Sequence, residues 1–363
     1  MTEEEACLLF SSCDGLGPKT FLKLLQEYGS AVSAWDAVEK KTAQIKNFQR
    51  KRLESFQQEF NREEYLKKLK RARVKVVGYT SASYPEGLKQ LPNPPIVLYC
   101  KGNLELLKSK QNVGVVGARK ITSYGKEVTE TIVSDLVSAG ITIVSGLAFG
   151  VDATAHKVTL DQKGNTIAVL GCGVDCCTPA ENQDLYEHIL DHGGLIISEY
   201  PLGMPATIGT FPARNRVIAA LSLGILVTEA AEDSGSLITA DEAVKLGKPI
   251  FAVPGPINSM MAKGTLKLLK QRAKLVSNGE DIINNFQFLI PNFQSISKKE
   301  KFSNIKLSPT EKRVVETLMS EPLPLDLLSK QIKIPVVKLM VLVTGLELRG
   351  ILEQVNGEIR CKM

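Results

Sequence analysis

The residues with the most chemical character lie between Phe211 and Ala240. Phe211 brings an aromatic face, and Arg214 and Arg216 bring two cations on either side of Asn215. A guanidinium pairs bidentately with phosphate oxygens, and an aromatic ring is a stacking surface for a base. The apolar run 217–223 is too long for a turn, and the β-branched run 224–228 has the pattern of a strand buried on both faces. Past Glu229 a polar loop ends at Ser234, Gly235 and Ser236, and a helical pattern follows over 237–246. Small residues feeding a helix N-terminus leave N–H groups pointing outward, where the helix dipole favours negative charge. Such an assembly could hold a phosphate backbone beside a stacked base. The plainer alternative is a helix cap at Ser234 or Ser236 with surface arginines. Glu229, Glu232 and Asp233 oppose an anion unless they point away or pair with the arginines.

Three more motifs sit where strands end. Val116-Gly117-Ala118-Arg119-Lys120 leads from a strand into a helix, with Gly117 permitting close backbone approach and Arg119 able to reach a phosphate. Ser145-Gly146-Leu147-Ala148-Phe149-Gly150-Val151-Asp152 and Gly171-Cys172-Gly173-Val174-Asp175 end the next two. The elements that must position them alternate from residue 74 onward. Buried-strand patterns fall at 74–77, 96–98, 113–116, 141–144, 166–170, 195–198, 224–228 and 250–253, with helical patterns at 124–139, 152–160 and 241–246 among them. Repeated strand–helix–strand units predict an α/β, doubly wound (Rossmann-like), mostly parallel sheet, whose ligand lies outside the carboxyl ends of the strands.

Residues 1–72 read as a small helical domain. Gly15-Leu16-Gly17-Pro18-Lys19 before the apolar run 21–28 allows a helix-hairpin-helix-like phosphate turn, or simply a tight turn in a bundle. The basic run Lys67, Lys68, Lys70, Arg71 and Arg73 reads as a solvated face. The sheet domain spans 73–290, and the polar stretch 291–306 reads as a linker. Residues 307–363 show helical patterns at 309–319, 325–331 and 335–349, then two short strands about Asn356-Gly357, which describes a winged helix. Its third helix presents Val336, Val337, Leu339, Met340, Val341 and Leu342 but few cations, so a protein-contact or regulatory role is expected rather than base reading.

The 363 residues carry a net charge of +6, which tilts toward anionic partners. The seven cysteines form an odd, scattered set unlike a disulfide framework. No apolar run has the length of a membrane span and the charged start is not a signal peptide, so a cytoplasmic protein is expected.

Taken together, the motifs resemble the DNA-processing protein A (DprA, also called Smf) family from Tyr84-Pro85 to Val253-Pro254-Gly255. The resemblance rests on the strand-end motifs above, with His156, Ser198-Glu199-Tyr200-Pro201, Phe211-Pro212-x-Arg214-Asn215-Arg216 and Ser234-Gly235-Ser236-Leu237 in order. It implies a non-enzymatic mediator of natural transformation and recombination that binds single-stranded DNA and dimerises through the sheet domain. It also implies loading of the RecA recombinase onto strands coated by single-strand-binding protein, with no cofactor and no metal. Strand contact would fall to Gly117, Arg119, Ser145, Gly146, Phe211, Arg214 and Arg216, with Ala118, Lys120, Asn215 and the Ser234, Gly235, Ser236 loop beside them. The chain departs from the family pattern at Thr178, Leu266 and Arg272.

Rival chemistries fare worse on the residues. A nicotinamide dehydrogenase would need G-x-G-x-x-G after the first strand and an acidic residue after the second, where Gly117-Ala118-Arg119 and Ser145-Gly146 stand. A nucleotide-cleaving, phosphoribohydrolase-like enzyme could use Glu229 or Asp152, and Asp152 with His156 could form an acid–base pair four residues apart. No nucleophile or second carboxylate stands beside them. Zinc would have to be assembled from Cys172, Cys176, Cys177, His188 and His192, and C-x-x-x-C-C is not a common ligand spacing.

Overall fold

The computed structural model describes residues 1–289, 307–320, 322–355 and 357–361. The chain divides at Ser295 and Ile296 into two compact units. The expected linker at 291–306 and Asn356 of the expected hairpin lie outside the described residues.

The first unit opens with helices α1 (Glu3–Ser12), α2 (Pro18–Tyr28), α3 (Ala31–Glu39), α4 (Asn47–Glu59) and α5 (Arg62–Arg71). Local chemistry starts them: Thr2 and Glu5 form a capping box, Pro18 occupies the first position of α2, and Ser30 and Asn61 cap α3 and α5. Phe10 meets Phe21 and Trp35 edge-on, and the same buried cluster runs on into Tyr99 and Ile196 of the sheet. The glycine turn ahead of α2 is tied into this bundle, since Gln49 Nε2 donates to the Gly15 carbonyl at 2.7 Å. Lys67, Lys68, Lys70 and Arg71 are exposed at the end of α5.

The strands are β1 (Lys75–Gly78), β2 (Val97–Gly102), β3 (Asn112–Val116), β4 (Thr142–Ser145), β5 (Thr166–Val169), β6 (Leu195–Ser198), β7 (Gly224–Val227), β8 (Ile250–Ala252) and β9 (Lys274–Leu275). They form one sheet in the order β1-β2-β6-β5-β4-β3-β7-β8-β9. Strands β3 to β9 run parallel, whereas β2 is antiparallel to β6 and β1 to β2. This is the doubly wound sheet read from the chain; the short edge strand β9 was not read there. Neighbouring residues feed opposite cores, as a strand buried on both faces requires: Ile196 joins one cluster, Leu195 and Ile197 another.

Between strands lie α6 (Glu86–Lys89), α7 (Ser123–Ser138), α8 (Val151–Asp161), α9 (Gln183–Asp191), α10 (Thr210–Leu221), α11 (Ser236–Lys245), α12 (Lys263–Lys270) and α13 (Gly279–Leu289). Helix α10 begins earlier than its apolar run. Phe211 to Arg216 are therefore helical and do not form a loop before a helix. Pro212 is tolerated there because first-turn N–H groups lack an intrahelical acceptor. From β3 the chain winds outward through β4, β5 and β6, then returns to β3's other side at β7. The reversal opens a crevice at the carboxyl ends of β3 and β7, the position for a ligand in this topology.

The second unit contains α14 (Pro309–Ser320), β10 (Leu323–Pro324), α15 (Leu325–Ile332), α16 (Val336–Leu348), β11 (Leu352–Val355) and β12 (Glu358–Cys361). The strands pair as β10-β12-β11, so the winged helix has one more strand than its sequence pattern shows. Leu339, Val343 and Leu346 face its core with Val314 and Leu328, while Val337, Met340 and Val341 are exposed. Among the described residues no helix is long and apolar enough to cross a membrane.

Candidate nucleic-acid interface

A cleft of about 650 Å³ occupies the crevice. One wall is the β3–α7 loop with Gly117, Ala118, Arg119 and Lys120; another is the first turns of α10 with Phe211, Arg214 and Asn215; Ser234, Gly235 and Ser236 complete it. Helical spacing brings Phe211, Arg214 and Asn215 to one side, at i, i+3 and i+4. Arg216 falls on a different side and does not line the cleft; neither do Ser145 and Gly146.

Arg119 is exposed, and its guanidinium carbon lies 5.2 Å from the centre of the Phe211 ring. Cation and ring thus form one composite surface. Lys120 is exposed beside it, and among the described residues neither cation is paired with a carboxylate.

The other two arginines have partners inside the protein. Arg214 is only 5% exposed. It donates from Nη1 to the carbonyls of Gly146 at 2.7 Å and Val169 at 2.5 Å, and from Nε to Asn215 Oδ1 at 3.1 Å. Burial pulls its guanidinium below the ordinary arginine value, with Asp152 opposing the shift. Arg214 forms floor, tying α10 to the ends of β4 and β5. Arg216 pairs with Glu199, and both are largely buried; burial raises the Glu199 carboxyl above its usual range although Arg216 opposes it.

The motif glycines also serve the protein's own packing. A Cβ at Gly146 would stand 1.9 Å from Arg214 Nη1, so its absence lets the guanidinium lie across the end of β4. A Cβ at Gly117 would meet Val151 Cγ2 at 2.5 Å and the Glu229 carbonyl at 2.7 Å. The Gly146 amide donates to Asp152 Oδ2 at 3.1 Å and so is not offered to a ligand. Ser145 is buried, its hydroxyl donating to the Val115 carbonyl at 2.6 Å, which joins β4 to β3.

The acids flagged against an anion site are accounted for. Glu229 accepts from the Thr122 amide at 2.8 Å and the Thr122 hydroxyl at 2.6 Å. Thr122 caps α7, so this carboxylate sits at the positive end of a helix and does not pair with the arginines. Glu232 and Asp233 are exposed and do not line the cleft.

The acid–base alternative meets the same difficulty. His156 is buried, Nδ1 lies 2.7 Å from Thr166 Oγ1, and burial lowers its pKa to about 3. Asp152 is buried against the Gly146 amide, and burial raises its carboxyl above the ordinary value. The cysteine loop shows thiols donating to backbone: Cys172 to the Cys176 carbonyl at 3.1 Å and Cys177 to that of Pro179 at 3.3 Å. Among the described residues no group of three or more His, Cys, Asp or Glu is placed to hold a metal ion.

The lining also includes Ile208, Ile238 and Met261, which sequence reasoning missed. The available signal was an isoleucine between Thr207 and Gly209, an apolar residue in a turn-forming stretch.

The fold and cleft define a doubly wound α/β protein with an exposed cation–aromatic surface at its topological switch point. The chain belongs to the DNA recombination-mediator protein A family, whose model matches residues 75–287, and residues 298–358 match the DprA winged helix domain. This is a family of recombination mediators, not of enzymes. Protein Smf of Synechocystis sp. is 37% identical over 281 residues, covering 76% of this chain and 70% of that protein. The X-ray structure of DNA processing protein A from Streptococcus pneumoniae has a TM-score of 0.68 at 34% identity, covering 78% of this chain and 98% of that one. A Helicobacter pylori DNA processing protein A structure, described for its single-stranded DNA binding mode, has a TM-score of 0.55 at 33% identity and covers 60% and 98%.

Proposed function

We propose that the cleft at the carboxyl ends of β3 and β7 binds single-stranded DNA without regard to sequence, and that the chain delivers such strands to recombination. The observation that carries this is the Arg119–Phe211 pair: an unpaired cation lying over an aromatic ring in an open cleft. A phosphate partner and a base-stacking surface are thereby held together, which suits an unpaired nucleotide. A duplex keeps its base faces stacked within itself and offers the ring nothing. Family membership and the strand binding described for the Helicobacter relative support the reading.

In this proposal Arg119 and Lys120 meet phosphates, Phe211 stacks, and Gly117, Ala118, Asn215, Ser234, Gly235 and Ser236 shape the groove. Arg214, with Ser145 and Gly146, holds the floor, and Arg216 holds α10 to Glu199. The wider role included in it is loading of the RecA recombinase onto strands coated by single-strand-binding protein. The working form would be a cytoplasmic homodimer made through the sheet unit.

The test is fluorescence anisotropy with labelled single strands and duplexes across a salt series. The wild type should prefer single strands and lose affinity steeply with salt. Arg119→Ala should weaken binding about tenfold and flatten the salt slope by about 0.7, the contribution of one single-strand phosphate. Unchanged affinity in that variant would remove the assignment.

A further inference from the structure

Ile208 is 93% exposed although it lines the cleft. Its exposure is built in. The turn carrying it is closed by Thr207 and the buried Thr210: the Thr207 amide donates to Thr210 Oγ1 at 3.0 Å. The Thr210 hydroxyl and amide both return to the Thr207 carbonyl, at 2.9 Å and 3.1 Å. A second aliphatic side chain, Ile238 near the start of α11, lines the same cleft and is 38% exposed. The cleft lining therefore carries two exposed cations, Arg119 and Lys120, and two exposed aliphatic side chains, Ile208 and Ile238.

We propose that Ile208, with Ile238, is the base side of the cleft, an apolar wall against which unpaired bases pack while their phosphates face Arg119 and Lys120. The inference rests on the strand-binding reading above and adds the orientation of the strand. Charge complementarity selects this occupant. An apolar peptide could cover the two isoleucines but would leave the two unpaired cations without an anion, whereas a polynucleotide supplies apolar and anionic surface along one chain. A wall that contacts base surface also selects against duplex, whose base faces are stacked within the helix.

The experiment compares labelled oligothymidylate with an abasic oligonucleotide of equal length, which has the same phosphates and no bases. The wild type should bind the base-bearing strand more tightly. Ile208→Ser should weaken that strand about three- to tenfold, the scale of one lost aliphatic contact, and leave the abasic strand and the salt slope unchanged. Ile208→Leu should keep wild-type behaviour. Arg119→Ala should weaken both strands and flatten the slope. If Ile208→Ser binds both strands as the wild type does, or loses both equally with a shallower slope, the orientation is overturned. Wild type failing to bind either strand would instead overturn the strand-binding reading itself. If Ile208→Ser leaves both strands untouched but abolishes capture of an apolar peptide, the wall is a peptide site and the proposal falls.

Discussion

The β3–α7 loop and the first turns of α10 both bring an arginine to the same cleft. Arg119 is in water, free of carboxylates among the described residues, and rests on the Phe211 ring. Arg214 is buried beneath it with its guanidinium committed to two backbone carbonyls. The difference is one of desolvation. A guanidinium that has already exchanged most of its water for fixed acceptors gains less from a phosphate than an exposed one does. Net charge of the chain therefore overstates the charge presented to a ligand. The cations open to a ligand are those that the fold does not use.

The comparison can be broken or sharpened from the buried side first. Arg214→Ala should destabilise the fold by on the order of 3 kcal/mol or more, since it leaves the Gly146 and Val169 carbonyls buried without a donor. Denaturant unfolding measures this, and a variant of wild-type stability would show that Arg214 is not structural. Gly146→Ala should cost roughly 2 kcal/mol by driving a methyl group into the guanidinium, and a melting curve matching the wild type would contradict the packing described.

Beside the same buried arginine, His156 gives a pH signature. Its folded pKa of about 3 lies below its ordinary 6.5, so below that value the unfolded chain takes up a proton that the native chain refuses. Stability should be full above pH 6.5 and fall by about 1.4 kcal/mol per pH unit as the pH drops toward 3. His156→Gln should flatten that part of the profile; the same slope in the variant would assign it to other groups. On the exposed side, Lys120→Ala should have the smallest effect, about two- to threefold in strand affinity at low salt, with stability within about 0.5 kcal/mol of wild type. A loss larger than that of Arg119→Ala would reverse the ranking of the two cations.

Much of the scaffold was legible because its signals are local. Runs such as Val113, Val115 and Val116, or Leu195, Ile196 and Ile197, have the continuous apolar character that only a strand buried on both faces needs. The Gly117-Ala118-Arg119 turn could be placed at a strand end. Less legible was the use of each motif residue. Arg214 and Arg216 differ by two positions on a helix, which turns them to different sides, and neither emerges as a free cation. The resemblance implies strand contact at Ser145 and Gly146, whereas the packing shows only that they make room and hydrogen bonds within the floor. Ile208 went unread because a single apolar residue in a turn has no periodicity to betray it.

By itself the amino-acid order determined the alternation of strands and helices, the parallel winding that follows from it, the helix caps, and the family. These depend on backbone propensity and on which side chains avoid water, both properties of short windows. Only the tertiary structure decided which cations stay solvated, why Gly146 has no side chain, where Glu229 spends its charge, and that an isoleucine stands in water at the cleft. Each of those is set by residues distant in the chain, such as Val169 against Arg214 and Thr122 against Glu229, and contacts of that kind exist only once the strands have been brought side by side.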